Sequence, residues 1–139
     1  MATDSAVLAP PIRRQAEQVA NTLKKIINWN DVGVTNAGVQ SNVAFDNSIP
    51  TGAVIFMVVA EILTTFDGGA ILTVGTVGAT YNNLLNAGDV DETVAGGTGV
   101  TRGVGTVTTE VLPYVTITQN GATKGKASIC ILYEGGWLS

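Results

Sequence analysis

The chain has 139 residues, 45% of them hydrophobic, which is the size of one domain with enough apolar material for its own core. Only 13% are charged, about half the roughly 25% usual for soluble domains, and that combination excludes intrinsic disorder. There is no histidine and a single cysteine, which excludes an internal disulfide, a histidine-dependent triad and the usual zinc sites.

Charge divides the chain near residue 30. Residues 1–30 carry Arg13, Arg14, Lys24 and Lys25 against Asp4 and Glu17, a net of +2, and the remainder carries a net of −6. The expected organisation is an N-terminal arm over residues 1–31 and a β-domain over residues 32–139. In the arm, Pro10-Pro11 marks a helix start. Ile12, Ala16, Val19, Ala20, Leu23, Ile26 and Ile27 then recur with the spacing of one helical face. An amphipathic helix of this length is marginal alone in water, so it is expected to dock, either on its own β-domain or on neighbouring copies. Its four basic residues are too few to favour a membrane surface.

From Val32 onward the residues read as strands and turns, rich in Val, Ile and Thr. Val39, Ser41, Val43 and Phe45 alternate with polar neighbours. Ile49-Pro50-Thr51-Gly52 is a turn, and Ala53 to Leu63 is a long, mostly buried strand. The most apolar stretch, Ala53 to Ala60, is followed by Glu61 and falls far short of the about 20 residues that a membrane-spanning helix needs. Thr64-Thr65-Phe66-Asp67-Gly68-Gly69 is expected to close a hairpin onto Ile71 to Val74. Gly75 to Gly99 is an irregular excursion, Val104 to Thr109 a further strand, and Pro113 marks the edge or the start of a strand running to Thr118. Asn120-Gly121 is a turn, and Ala127 to Tyr133 is the last strand. No internal repeat or low-complexity tract interrupts this pattern. The fold class expected is mainly β, an antiparallel β-sandwich of jelly-roll type with one N-terminal helix.

The chemistry-bearing residues are few. Asp89-Val90-Asp91-Glu92 is the one acidic cluster, and it lacks the ligand spacing of a calcium loop. Gly96-Gly97-Thr98-Gly99 with Arg102 lacks the ending of a phosphate loop and reads as a flexible loop. Lys124, Lys126 and Ser128 have no oxyanion partner, and Cys130 reads as a core thiol. No enzyme activity, metal or cofactor is expected. The acidic body disfavours nucleic acid. Trp29 and Trp137 are expected as packing or interface anchors.

Several short pieces resemble a domain of tailed-bacteriophage structural proteins. They are Ile49-Pro50-Thr51-Gly52-Ala53-Val54-Ile55, then Thr64 to Gly69 leading into Leu72-Thr73-Val74-Gly75-Thr76, then Gly88-Asp89-Val90-Asp91, and finally Gly125-Lys126-Ala127-Ser128-Ile129-Cys130-Ile131-Leu132-Tyr133. The resemblance implies a capsid decoration (cement) protein: a virion component on the outer capsid surface, made in the host cytoplasm, homotrimeric, and bound to the major capsid protein. A low-charge chain without an evident active site suits that role. The interface residues expected on this reading are Pro10, Ile12, Arg13, Arg14, Val19, Leu23, Lys24, Lys25, Ile27, Trp29 and Trp137. The alternative is a tail or fibre module presenting Tyr81, Tyr114 and loop asparagines to a host glycan.

Overall fold

The structure is a computed structural model and describes residues 21–31 and 38–135. Among the described residues eight strands follow in chain order: β1 (Asn21–Asn28), β2 (Ser41–Ala44), β3 (Val54–Thr64), β4 (Ile71–Gly75), β5 (Gly96–Val100), β6 (Gly105–Thr106), β7 (Tyr114–Thr118) and β8 (Lys126–Glu134). They form two antiparallel sheets. The larger runs β1-β8-β3-β5, with β6 pairing an adjacent stretch of β3, and the smaller runs β2-β7-β4. The chain is an antiparallel β-sandwich.

Alternation along the strands builds the core. Ile55, Val58, Ala60 and Ile62 of β3 and Ala127, Ile129 and Ile131 of β8 meet Leu72, Val74, Val115 and Ile117 from the smaller sheet. A register shift between Ile55 and Met57 explains why the buried positions of β3 change from odd to even numbers. Pro113 immediately precedes β7, the central strand of the smaller sheet, so its missing N–H costs the ladder nothing.

The helical spacing expected through Ile27 fails where it can be seen. Asn21–Asn28 is strand β1, paired residue for residue with β8 from Asn21↔Tyr133 to Asn28↔Lys126. Leu23 and Ile27 are buried on its inner side. The earlier part of the expected helix lies outside the described residues. The Gly96–Gly99 tract is likewise no loop but strand β5.

Thr64 to Gly69 does not close a hairpin either. β3 belongs to the larger sheet and β4 to the smaller, so this segment crosses the sandwich, and the segment from β7 to β8 crosses back beside it. The two crossovers interlock. Asp67 accepts from the Thr123 N–H at 2.6 Å and from its hydroxyl at 2.6 Å, and Asn120 Nδ2 donates to the Gly69 carbonyl at 2.9 Å. The Phe66 ring lies where a side chain on Gly125 would be: a Cβ there would sit 2.1 Å from Phe66 Cδ2. The turn residues Phe66 to Gly69 thus serve packing between the two crossovers.

The excursion after β4 folds over the outward face of the smaller sheet. The Thr73 hydroxyl donates to the Tyr81 carbonyl at 2.9 Å and is hydrogen-bonded to the Thr116 hydroxyl. Gln40 Nε2 donates to the Ala79 carbonyl at 3.1 Å, while Leu84 and Leu85 are buried and bond back to Val74. Gly75 permits this close approach, since a Cβ there would stand 2.3 Å from the Tyr81 carbonyl carbon. One face of the sandwich is therefore covered by the chain itself.

Candidate assembly surface

Most of the expected interface residues that are described belong to the β1 edge, and the strand turns them in different directions. Leu23 and Ile27 are consumed by the chain's own core. Lys25 sits at an inward position opposite Ile129 but, being on the edge strand, reaches out to Asp46 Oδ1 at 3.2 Å. An inward lysine of this kind discourages edge-to-edge strand addition. Lys24, opposite Cys130, is exposed on the outward face. Trp29 is half-buried against the core; its N–H donates to the Gly125 carbonyl and its own carbonyl accepts from the Gln119 side chain. Pro10, Ile12, Arg13, Arg14, Val19 and Trp137 lie outside the described residues.

The outward face of the larger sheet carries the features that sequence reasoning missed. The strand registers align Lys24, Cys130, Val59 and Gly99 in one row, and Ile26, Ser128, Glu61 and Gly97 in the next. Met57 and Leu132 continue the face and are half-buried, while Ile26, Val54 and Phe56 are exposed by 41%, 44% and 37%. Cys130 is thus an outward, half-buried residue rather than a core thiol. At one end a shallow groove of about 590 Å³ is lined by Gly52, Val54, Phe56, Glu134 and Gly135. Alternation along β3 and β8 was the signal available in the sequence, but the bulge in β3 reverses its phase.

The acidic cluster disperses rather than converging. Asp89 is held by Arg102 in a two-bond pair, both contacts at 2.8 Å, and accepts the Asn86 N–H. Asp91 caps Thr93. Glu92 turns inward and accepts the buried Leu72 N–H at 3.0 Å. Among the described residues no group of three or more metal-ligating side chains forms. Tyr81 and Tyr114, the residues a sugar would need, stack on each other at 4.5 Å.

These environments set opposite pH responses. The Arg102 guanidinium holds Asp89 below the usual carboxylate range, and hydrogen bonds from Thr123 and Thr93 do the same for Asp67 and Asp91. Their contribution to stability is present above the unfolded pKa and is lost as pH falls through the folded one. Burial pushes Glu92 above its ordinary value, with the Leu72 N–H opposing. Its contribution has the reverse sign: present at low pH, and lost as pH rises through the raised value. Glu92→Gln keeps an acceptor for Leu72 and removes the buried charge. The variant is expected to melt no lower than the parent near neutral pH and to lose the parent's decline above the ordinary glutamate range. Thermal melts across the acid-to-neutral range check this; a variant that melts well below the parent at neutral pH would refute it.

No family model matches the chain, and no curated protein matches it. Solved structures do. A chain in the capsid asymmetric unit of cyanophage Pam1 superposes with a TM-score of 0.57 at 17% identity, covering 82% of this chain and 83% of that one. A chain of the acid-stable capsid of Helicobacter pylori bacteriophage KHP30 superposes with a TM-score of 0.61 at 18% identity, covering 84% of this chain and 88% of that one. The fold is one found in phage capsids. The likeness covers more than four-fifths of both matched chains.

Proposed function

We propose that the protein is a bacteriophage virion structural protein that decorates and stabilises the assembled capsid. The observation that carries this reading is the sandwich shared with two phage capsid structures over more than four-fifths of each chain. The dispersal of the carboxylates and the low charge support it, because a stabilising subunit needs area and not a reaction centre. The partners are further copies of the chain, as a homotrimer, and the major capsid protein on the outer surface of the shell. The mechanism is linkage: a protein that binds the assembled shell and not its separated subunits shifts the equilibrium toward the shell. Many copies bridging subunit junctions multiply a modest contact energy.

Quantitative mass spectrometry of purified virions tests the assignment. The expected stoichiometry is comparable to that of the major shell protein, and particles lacking the chain are expected to rupture at a lower temperature. A content about two orders of magnitude lower would place the protein in the tail. Absence from virions would overturn the reading.

A further inference from the structure

We infer that the outward face of the β1-β8-β3-β5 sheet is an interface between copies of this chain. Three independent observations converge on it. The first is asymmetry of cover: the excursion after β4 shields the outward side of the smaller sheet except at Ile71, 36% exposed, whereas the larger sheet presents Ile26, Val54 and Phe56 at 37–44% exposure. Val54 and Phe56 lie at one end of this face and Ile26 on its β1 edge, so exposed apolar side chains extend across it, as on a contact surface.

The second is charge. Lys24 and Lys126 on this face are matched by Glu61 and Glu134, so it is neutral in a chain whose net charge is −4. Two copies of an acidic protein repel each other through most of their surface. A balanced face is where they approach without that penalty, and it offers each lysine a carboxylate on the neighbour.

The third is glycine without an internal reason. Gly97, opposite the outward Glu61, has no positive φ, and a Cβ there would meet none of the described residues within 4 Å. Glycine weakens a strand, so its presence marks a close approach by another chain when nothing in its own fold demands it. Gly99 in the adjacent row differs, since Met57 Sδ would stand 3.2 Å from a Cβ there, so the bare backbone is confined to Gly97 beside Glu61.

Because Gly97 is indifferent to the fold, it gives a clean test on the isolated full-length chain, independent of any shell. Sedimentation velocity is expected to show the parent assembled. Gly97→Arg and Ile26→Lys, at opposite sides of the face, are each expected to weaken assembly by about tenfold or more. At a dilution where the parent is dissociated, both variants are expected to melt with it. A parent that is monomeric at every concentration overturns the inference, the face then being covered within the chain or by a different protein. Assembly unaffected by both substitutions overturns it equally. Since shell binding is scored separately by virion content, either result leaves the decoration assignment to stand or fall by itself.

Discussion

Gly125→Ala is expected to destabilise the fold by about 3–5 kcal/mol. Two costs combine. The backbone at Gly125 has φ of +145°, a conformation that L side chains rarely adopt, worth roughly 1–3 kcal/mol. The new methyl would also lie 2.1 Å from the Phe66 ring, with further ring atoms at 2.4 and 2.5 Å. Overpacking of that kind adds roughly 1–3 kcal/mol. For a chain of this length the sum corresponds to a fall in Tm on the order of 10 °C or more. The partner supplies the control. Phe66→Ala alone is expected to cost about 3–5 kcal/mol by leaving a cavity. In the double variant the alanine at 125 no longer meets the ring, so the two losses are expected to fall short of additivity by more than about 1 kcal/mol. Strict additivity in denaturant melts would show that the ring and the glycine do not lock the crossovers together.

The next largest effect separates two truncations. Removing residues 1–30 deletes β1 with Leu23 and Ile27, and exposes the ladder of β8 from Lys126 to Tyr133. Those two side chains alone represent roughly 3–6 kcal/mol of burial, against a net stability of about 5–15 kcal/mol for a typical domain. The shorter protein is expected to lose cooperative unfolding or to be insoluble. Removing residues 1–20 leaves the described sandwich whole, and its melting temperature is expected to stay within a few degrees of the parent. On the proposed function, the arm that attaches to the shell is then narrowed to residues 1–20, and this second truncation is expected to stop co-sedimenting with shells. Retained co-sedimentation by a folded 21–139 protein would remove the arm from the attachment mechanism.

Much of the fold was legible because strand signals here are local. The apolar run ending at Leu63, Pro113 before a strand, the Asn120-Gly121 turn and the final alternation all correspond to observed features. β1 was not legible because Leu23 and Ile27 are four apart, and positions i and i+4 share a side in both a helix and a strand. Lys25 between them is charged at an inward strand position; it is tolerated there because β1 lies at the sheet edge, where the side chain escapes to Asp46. The crossover at Thr64 to Gly69 was misread for a related reason. Turn residues specify a bend, while the sheet that receives the next strand is decided by contacts with Thr123, Lys124 and Gly125, far along the chain. The assembly surface was obscured by the bulge in β3 and by Gly97, which looks like loop composition until its strand partner Glu61 is known.

The pairing of β1 with β8 also governs when this chain can fold. The first strand among the described residues has its neighbour in the last, with Asn21 opposite Tyr133. The larger sheet therefore cannot close until β8 has been synthesised, and Leu23 and Ile27 must wait in water for Ile129 and Ile131 to emerge. Sandwiches dominated by such distant pairings fold in milliseconds to seconds rather than microseconds. A strand kept waiting with open edges is prone to meet the wrong neighbour. Lys24 and Lys25, side by side in β1 and pointing to opposite faces, keep that nascent strand charged on both sides until its partner is made.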